Sequence, residues 1–440
     1  MYKNLVVIGG GFAGTTVTRC LEHTLPPDWT LTLISQENYF TFHPLLPEVV
    51  GASLLPGHVV APHRQMLHCS LVCMARVTDI DTEQRLVHYL GEGSGTIHYD
   101  QLVLACGSNA NLELVPGMAG SALPLKTLGD ALFLRNRLVV RLEQAELQHK
   151  APERRWLMTF IVVGGGFSGV ETAGELVDFL HASLKYYKRI PPAELRIILL
   201  HGGERLLPEL SPRLGAVTLR KMRTGGVDVR LNARVERVND RGVRLASGEL
   251  IEAGTIVCTI GTQTNPLIEQ LPAPKSRGRL TVNPDMSVPG LPGVWAAGDC
   301  AAVVNALDGS LCPPTAQFAE AQARVLAANI VAQLGGHATR AFRHRSRGQL
   351  SSIGHNKAVA QILGLRISGF VAWLMWRGLF LLRIPTLARK TRLFLEWNWA
   401  MFFPPDLCHF GYRRTQRQTL VASSSSPGAP RAEAASPSQE

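Results

Sequence analysis

One glycine pattern occurs twice in this chain, and each copy dictates the same local fold. Asn4–Ile8 is an apolar run that empties into Gly9, Gly11 and Gly14 before small residues continue to Val17. The second copy is Phe160–Val163 followed by Gly164, Gly166 and Gly169. The spacing suits a buried strand, a tight turn and a helix whose N-terminus accepts a dinucleotide pyrophosphate. One glycine makes the turn, one lets the backbone reach the phosphates, and one lets helix and strand pack closely. A lone Gly-rich turn is often only a tight connection; a repeat implies two nucleotide sites. The expected fold class is α/β with two Rossmann-like dinucleotide-binding domains.

The rest of each half repeats the same order. Thr30–Ile34 and Arg196–Leu200 read as second strands, and LVLACG and IVCTIG read as later buried strands ending at Gly107 and Gly261. An acid is expected where the second strand ends, to accept from a ribose hydroxyl. Ser35 stands there in the first half, with Glu37 two residues on as the candidate; His201 stands there in the second, with Glu204 three residues on. His201 leaves the choice between NADH and NADPH open. Val294–Asp299 supplies a strand ending in Asp299, an acceptor suited to a polyol such as ribitol. Asn38–Val50, rich in aromatics and proline, either lines a flavin or packs on the core. Helices are expected from Pro124 to about His149, over Thr172–Leu184, and over Pro313–Ile330, with basic Lys150–Arg155 as a boundary. The expected divisions are 1–120 and 286–335 for the first nucleotide, 121–285 for the second, 336–420 as a C-terminal region and 421–440 as a disordered tail.

Length and composition set limits on function. A chain of 440 residues, 46% hydrophobic and 18% charged, has ample length for two or three globular domains. A formal charge of +11 favours anionic partners: nucleotides, nucleic acid or a phospholipid surface. The eight cysteines are scattered without a C-x-x-C, so neither a disulfide framework nor a metal site is expected, and a reducing compartment is. The first strand begins too early to leave room for a signal peptide, and no apolar run reaches the ~18 residues of a spanning helix. A cytoplasm-side protein follows. Near the C-terminus, Phe370–Ile384 is apolar but too short to span a bilayer. Leu387–Phe403 mixes Arg389, Lys390 and Arg392 with Trp397, Trp399, Phe402 and Phe403, the pattern of an interfacial helix on anionic lipid. A hairpin sealing the core or a dimer interface is the other reading.

VVIGGGFAG, VVGGGFSGVETAGEL and GVWAAGDCA, in this order over roughly residues 1–335, resemble the two-dinucleotide flavoprotein reductases of the glutathione-reductase type. Within that group NYFTFHPLLPEVVG, PLKTLGDALFLRNRL and PPTAQFAEAQARVLAANI look like the type II NADH dehydrogenases, monotopic and non-pumping NADH:quinone oxidoreductases with FAD. The resemblance implies that Gly9, Gly11, Phe12, Ala13, Gly14, Glu37, Gly107, Asp299, Ala316 and Gln317 bind FAD. It implies that Gly164, Gly166, Gly169, Glu171 and Gly261 bind NADH, with Glu171 near the nicotinamide. Gln317 and Gln322 would border a quinone pocket, and Glu171, Gln317 and Gln322 would be the catalytic set. Glu171 would orient the nicotinamide or handle a proton; its plain alternative is stabilisation of its helix N-terminus. No nucleic-acid partner is implied. The protein would sit peripherally on the cytoplasmic face of the inner (plasma) membrane, through its C-terminal region, with a homodimer as a further expectation. Two alternatives stand beside it. One is a sulfide:quinone oxidoreductase-like flavoprotein, using two of Cys106, Cys258, Cys300 and Cys312. The other is a flavin-bound redox sensor with little turnover. A disulfide reductase would need a cysteine pair within Tyr39–Val50, where none occurs.

Overall fold

Each glycine motif opens the middle strand of a five-stranded, all-parallel sheet. The computed structural model describes residues 2–411. In the first sheet the order is Val294–Ala296, Gln101–Leu104, Lys3–Ile8, Trp29–Ser35, Leu71–Met74. In the second it is Leu123–Pro124, Thr255–Cys258, Thr159–Val163, Arg196–Leu200, Val227–Arg230. The centres are fully apolar: Leu5, Val6 and Val7, like Phe160, Ile161 and Val162, have no exposed surface. Strands covered on both faces read as continuous apolar runs, and here the glycines that end each run mark it as a strand. In register, Ile8 lies between Ile34 and Leu104, and Val163 between Leu200 and Cys258. Both motif strands therefore stop at a point where the strand order reverses, the crevice in which open α/β sheets bind ligands.

The two halves are tied by a ladder that the sequence reading does not contain. Ser108–Ala110, directly after Gly107, pairs antiparallel with Thr262–Thr264, directly after Gly261. Three residues per strand are too few for any periodicity to mark.

Several expected boundaries shift for local reasons. Pro124 ends an edge strand beside Cys258 rather than opening a helix. The helix is Leu128–Leu147, started by a capping box in which the Thr127 hydroxyl accepts from the Asp130 N–H and the Asp130 carboxylate accepts from the Thr127 N–H. Lys150–Arg155 is no boundary; it lies largely in a second helix, Ala151–Leu157, leading into the strand at Thr159. The helix expected from Pro313 starts at Ala316 under a Thr315 cap, with Pro313 and Pro314 outside it. A three-stranded antiparallel sheet, Gly348–Ser352, Ala358–Ile362 and Leu365–Gly369, stands where no structure was anticipated. Helices Phe370–Arg383 and Leu387–Phe402 follow it as expected. No helix among the described residues is long and apolar enough to cross a membrane. The tail 421–440, and the end of the region drawn to 420, lie outside the described residues.

Candidate functional site

The two glycine turns exclude side chains at matching positions. Gly9 has φ +108° and Gly164 φ +124°, backbone that side chains rarely adopt. A Cβ on Gly14 would overlap the Gly9 carbonyl oxygen, and one on Gly169 would overlap that of Gly164. By contrast, a Cβ on Gly11 or Gly166 would meet nothing within 4 Å. Two glycines of each triplet thus serve packing, and the third keeps clear the space in front of a helix. Those helices, Phe12–Leu21 and Phe167–Leu184, have Gly11 and Gly166 as N-caps with no side chain satisfying their first N–H groups. Unpaired N–H groups facing open space fit the oxygens of a pyrophosphate. Both cradles therefore suit a dinucleotide.

Beside the first cradle lie Ala13, buried on the helix, and Gly107, with φ +65°. Asp299 arrives there from the strand end at Ala296. Its Oδ2 accepts from the Ser108 hydroxyl at 3.1 Å and lies 3.7 Å from the Lys126 ammonium, which also donates to Ser108 Oγ at 3.2 Å. Burial, together with the Lys126 charge, pushes the nearby His43 imidazole down to about 4 despite Asp299, so it is neutral at physiological pH. Ser108 lies in no motif quoted above, and Lys126, within PLKTLGDALFLRNRL, was not singled out there. Glu37 is exposed and placed beside Tyr39, whose hydroxyl is pushed up to about 12 by burial and by that carboxylate. The space under the turn belongs instead to Ser35 and the buried His63, both of which a side chain on Gly10 would strike.

Gln322 points into the protein. It is buried, and its Oε1 accepts the Gly298 N–H at 2.8 Å. Its amide holds the φ +78° turn that delivers Asp299. Gln317 is half-buried near the start of the same helix, with Nε2 3.4 Å from the His344 ring. Five residues separate the two, so they do not share a face.

Glu171 lies beyond the first turn of its helix and is buried. Its Oε1 accepts the Ser352 N–H at 3.1 Å, from the antiparallel sheet near the C-terminus. Burial raises its carboxyl to about 8, the Ser352 N–H opposing. A carboxyl raised in this way interacts less with the helix dipole than an ionised one does. Glu48 is raised to about 7, by burial against the opposing Arg377 and Trp397; Trp397 Nε1 donates to its Oε2 at 2.6 Å. Glu175, one turn past Glu171, is pushed well up by burial and by Glu48 and Asp178, and accepts from the Ser53 hydroxyl at 3.0 Å. Asp178 accepts from the His355 N–H. Four carboxyls, Arg377 and His355 thus collect between the second cradle and the C-terminal hairpin. Of these, Glu171 and Glu175, four apart, share one face of their helix by sequence; Asp178 follows on the same helix, and Glu48, His355 and Arg377 converge from distant segments. Glu48, Glu175, Asp178, His355 and Arg377 line a cavity of about 690 Å³.

An aromatic series leads from the first cradle toward the same hairpin. Phe12, directly after Gly11, packs on Phe40 and Phe42; Phe42 meets Phe380 at 5.5 Å, Phe380 meets Trp376 at 4.6 Å, and Trp376 meets Trp397 at 6.0 Å. The aromatic stretch Asn38–Val50 therefore joins the nucleotide turn to the C-terminal helices. The opposite face of those helices exposes Leu374, Leu382, Leu387, Leu395, Trp399 and Phe402. All eight cysteines are free, and among the described residues no His, Cys, Asp and Glu side chains group as metal ligands. Cys106 and Cys300 meet at adjacent strand ends, where their contact pushes the Cys106 thiol well up and the Cys300 thiol down, and the Cys300 thiol donates to the Leu104 and Ala297 carbonyls.

Comparison with known proteins agrees with this geometry. The family model described as pyridine nucleotide-disulphide oxidoreductase matches residues 3–323. The type II NADH:quinone oxidoreductase Ndh of Mycobacterium tuberculosis is 31% identical over 90% of this chain and 87% of its own length. The demethylphylloquinone reductase NdbB of Synechocystis is 30% identical over 89% of this chain and 95% of its own. Among solved structures, NDH2 from Plasmodium falciparum superposes with a TM-score of 0.85 at 20% identity, covering 93% of this chain and all of that one. The sulfide:quinone oxidoreductase of Aquifex aeolicus superposes less well, with a TM-score of 0.69 at 16% identity, covering 90% of this chain and 92% of that one.

Proposed function

Because the chain belongs to the pyridine nucleotide-disulphide oxidoreductase family, and within it to the type II NADH:quinone oxidoreductases, we propose that it oxidises NADH and reduces a membrane quinone through bound FAD. When bound, FAD would supply the redox chemistry that links NADH to the quinone. The protein supplies position, proton and access.

The first cradle, with Gly9, Gly11, Phe12, Ala13, Gly14, Gly107 and Asp299, holds FAD, and Ala316 and Gln317 approach it from their helix N-terminus. The second, with Gly164, Gly166, Gly169 and Gly261, holds NADH. Net reduction of a quinone by NADH takes up one proton from solution. Glu171 is the group suited to hold it, because burial keeps its carboxyl protonated near neutral pH. Gln317 hydrogen-bonds the quinone; Gln322 acts at a distance, through the Gly298 turn. Glu37, exposed two residues after the strand Trp29–Ser35, is the acid assigned to the FAD ribose. The residue limits 1–120, 121–285, 286–335 and 336–420 serve as working domains for this reading.

One observation carries the proposal: the aromatic series joins the first cradle to a hairpin whose outer face is apolar. A lipid-soluble acceptor needs such a route. Arg383, Lys390 and Arg392 flank the exposed face and suit anionic headgroups. The protein then rests peripherally on the cytoplasmic face, where NADH is supplied; pairing of two copies through the same face is the competing use.

The test is anaerobic. NADH should bleach the flavin, and a soluble quinone should restore its absorbance at a rate matching turnover. Bleaching by sulfide and not by NADH would overturn the proposal, as would bleaching with no quinone reoxidation.

A further inference from the structure

We infer that His344 is a positioning residue of the acceptor site, whose ring decides which end of the Gln317 amide is turned to the quinone. This rests on the placement of Gln317 beside that quinone. His344 lies in the segment 335–347, which links the helix Ala316–Leu334 to the strand Gly348–Ser352.

That segment is fixed at every second residue. Buried Asn329 donates to the Arg340 carbonyl and accepts its N–H, both at 2.8 Å. The Phe342 N–H donates to the Pro284 carbonyl, and the Phe342 carbonyl accepts the Ala306 N–H. Buried Asn305 donates to the His344 carbonyl at 2.8 Å and accepts its N–H at 3.0 Å. Alternate residues of an extended chain share a side, so Phe342 and His344 turn inward while Arg343 and Arg345 are exposed. The His344 ring is held in turn: Phe318 meets it edge-on at 5.1 Å, and Phe342 stacks on it at 6.2 Å. A ring gripped in this way can act as a fixed point.

The atom it presents is Nε2, 3.4 Å from the Gln317 amide nitrogen. An amide nitrogen has only hydrogens to offer. The contact therefore needs a ring nitrogen with a free lone pair, that is, a neutral imidazole with its proton on Nδ1. Burial favours that state, and three cations from three elements add to it. Arg347 in the segment, Arg324 on the helix and Arg383 at the end of Phe370–Arg383 all push the His344 pKa below its ordinary 6.5. Among the described residues no acid opposes them. Glu320 on the helix pairs with Arg324 at 3.5 Å, and Asp308, in the turn after Asn305, is exposed and accepts from the Ser310 hydroxyl.

With its nitrogen engaged by the ring, Gln317 turns its oxygen outward. An acceptor there suits the hydroxyl that forms as a quinone is reduced better than the carbonyl it starts with. An interaction that strengthens along the reaction raises kcat more than it tightens binding. Protonation of His344 reverses the arrangement. An imidazolium carries two N–H groups and no lone pair, so the amide must turn over and offer the quinone its nitrogen. That donor suits the starting carbonyl, which lowers KM and kcat together.

The test is quinone reoxidation of the NADH-bleached, FAD-loaded protein, followed with a soluble quinone from about pH 5 to 8. His344→Phe keeps a ring but removes the acceptor. It should slow reoxidation about tenfold, the weight of one hydrogen bond, with flavin retained and bleaching by NADH as the internal control. His344→Gln restores an acceptor that does not titrate and should recover the rate. The joint fall of kcat and KM below about pH 6.5 in the wild type should be absent from it. Gln317→Ala and the double variant with His344→Phe should be equally slow, because His344 acts only through Gln317. Additive losses in the double variant overturn the inference, as does a His344→Phe protein that reoxidises like the wild type. Full reoxidation in Gln317→Ala instead overturns the placement of Gln317 on which the inference rests, and NADH-to-quinone turnover itself would still stand.

Discussion

Glu171→Gln separates a buried acid from a merely buried polar residue. The substitution keeps the side chain's size and leaves an amide oxygen to accept the Ser352 N–H. It removes only the ability to ionise. In the folded protein the carboxyl titrates near 8, against an ordinary value of 4.5. Between those values the folded chain holds a proton that the unfolded chain has released. Folding then takes up a proton, and stability falls as pH rises through that window, by about 1.4 kcal/mol per unit, levelling above pH 8. Across the window this amounts to about 4–5 kcal/mol, an upper figure, since relaxation around the charged form reduces it. The glutamine protein has no such loss. Thermal unfolding at saturating FAD, from pH 4 to 9, should show the two proteins converging at the acid end and the variant gaining steadily toward pH 8. Turnover with NADH and quinone should drop by about a hundredfold if the carboxyl delivers the proton, and a pH step near 8 should vanish. Parallel unfolding curves would refute the raised titration. Diverging curves with intact turnover would keep the buried acid and remove its catalytic role.

Other substitutions divide packing from binding. Gly11→Ala should fold normally yet lose flavin, because the added carbon enters space that only a ligand fills, whereas Gly14→Ala should lose folded protein as well, through overlap with the Gly9 carbonyl; flavin absorbance and circular dichroism distinguish them. Gln322→Ala leaves the Gly298 N–H unpaired and should cost about 1–3 kcal/mol with weakened flavin retention. Gln317→Ala should leave flavin and NADH bleaching intact and slow quinone reoxidation; full quinone turnover would remove it from the acceptor site. Replacing Leu395 and Phe402, both exposed, by glutamate should abolish sedimentation with anionic liposomes without altering NADH bleaching, and unchanged sedimentation would point to another surface.

Most of the architecture was legible because it rests on buried strands and on glycines whose spacing has a steric cause. Gly9, Gly14, Gly164 and Gly169 mark close backbone contacts, and such contacts cannot be made by other residues. The carboxyl cluster was not legible. Glu48, Glu175 and Arg377 come from three distant parts of the chain, and none is unusual within its own segment. The bond from the Gly298 N–H to Gln322 was not legible for a related reason: helical spacing tells which residues share a face, but not which face meets Gly298. Pro124 and Pro313 misled because proline near a helix start is a weaker signal than the Thr127 and Thr315 caps that follow it. The ladder between Ser108–Ala110 and Thr262–Thr264 has no local signature.

The grip of the late antiparallel sheet on the Phe167–Leu184 helix has a practical consequence for dissecting this protein. Ser352 and His355 donate backbone hydrogens to Glu171 and Asp178, and Trp397 covers Glu48. Cutting the chain before residue 348 would therefore strip the lid from three acidic side chains and flood them with water. A truncated protein that no longer found membranes would also have altered proton affinities beside its nicotinamide site, and its slow turnover would say nothing about anchoring. The C-terminal helices and the carboxyl cluster share a wall, so the roles proposed for them can be told apart only by changing the outer surface one residue at a time.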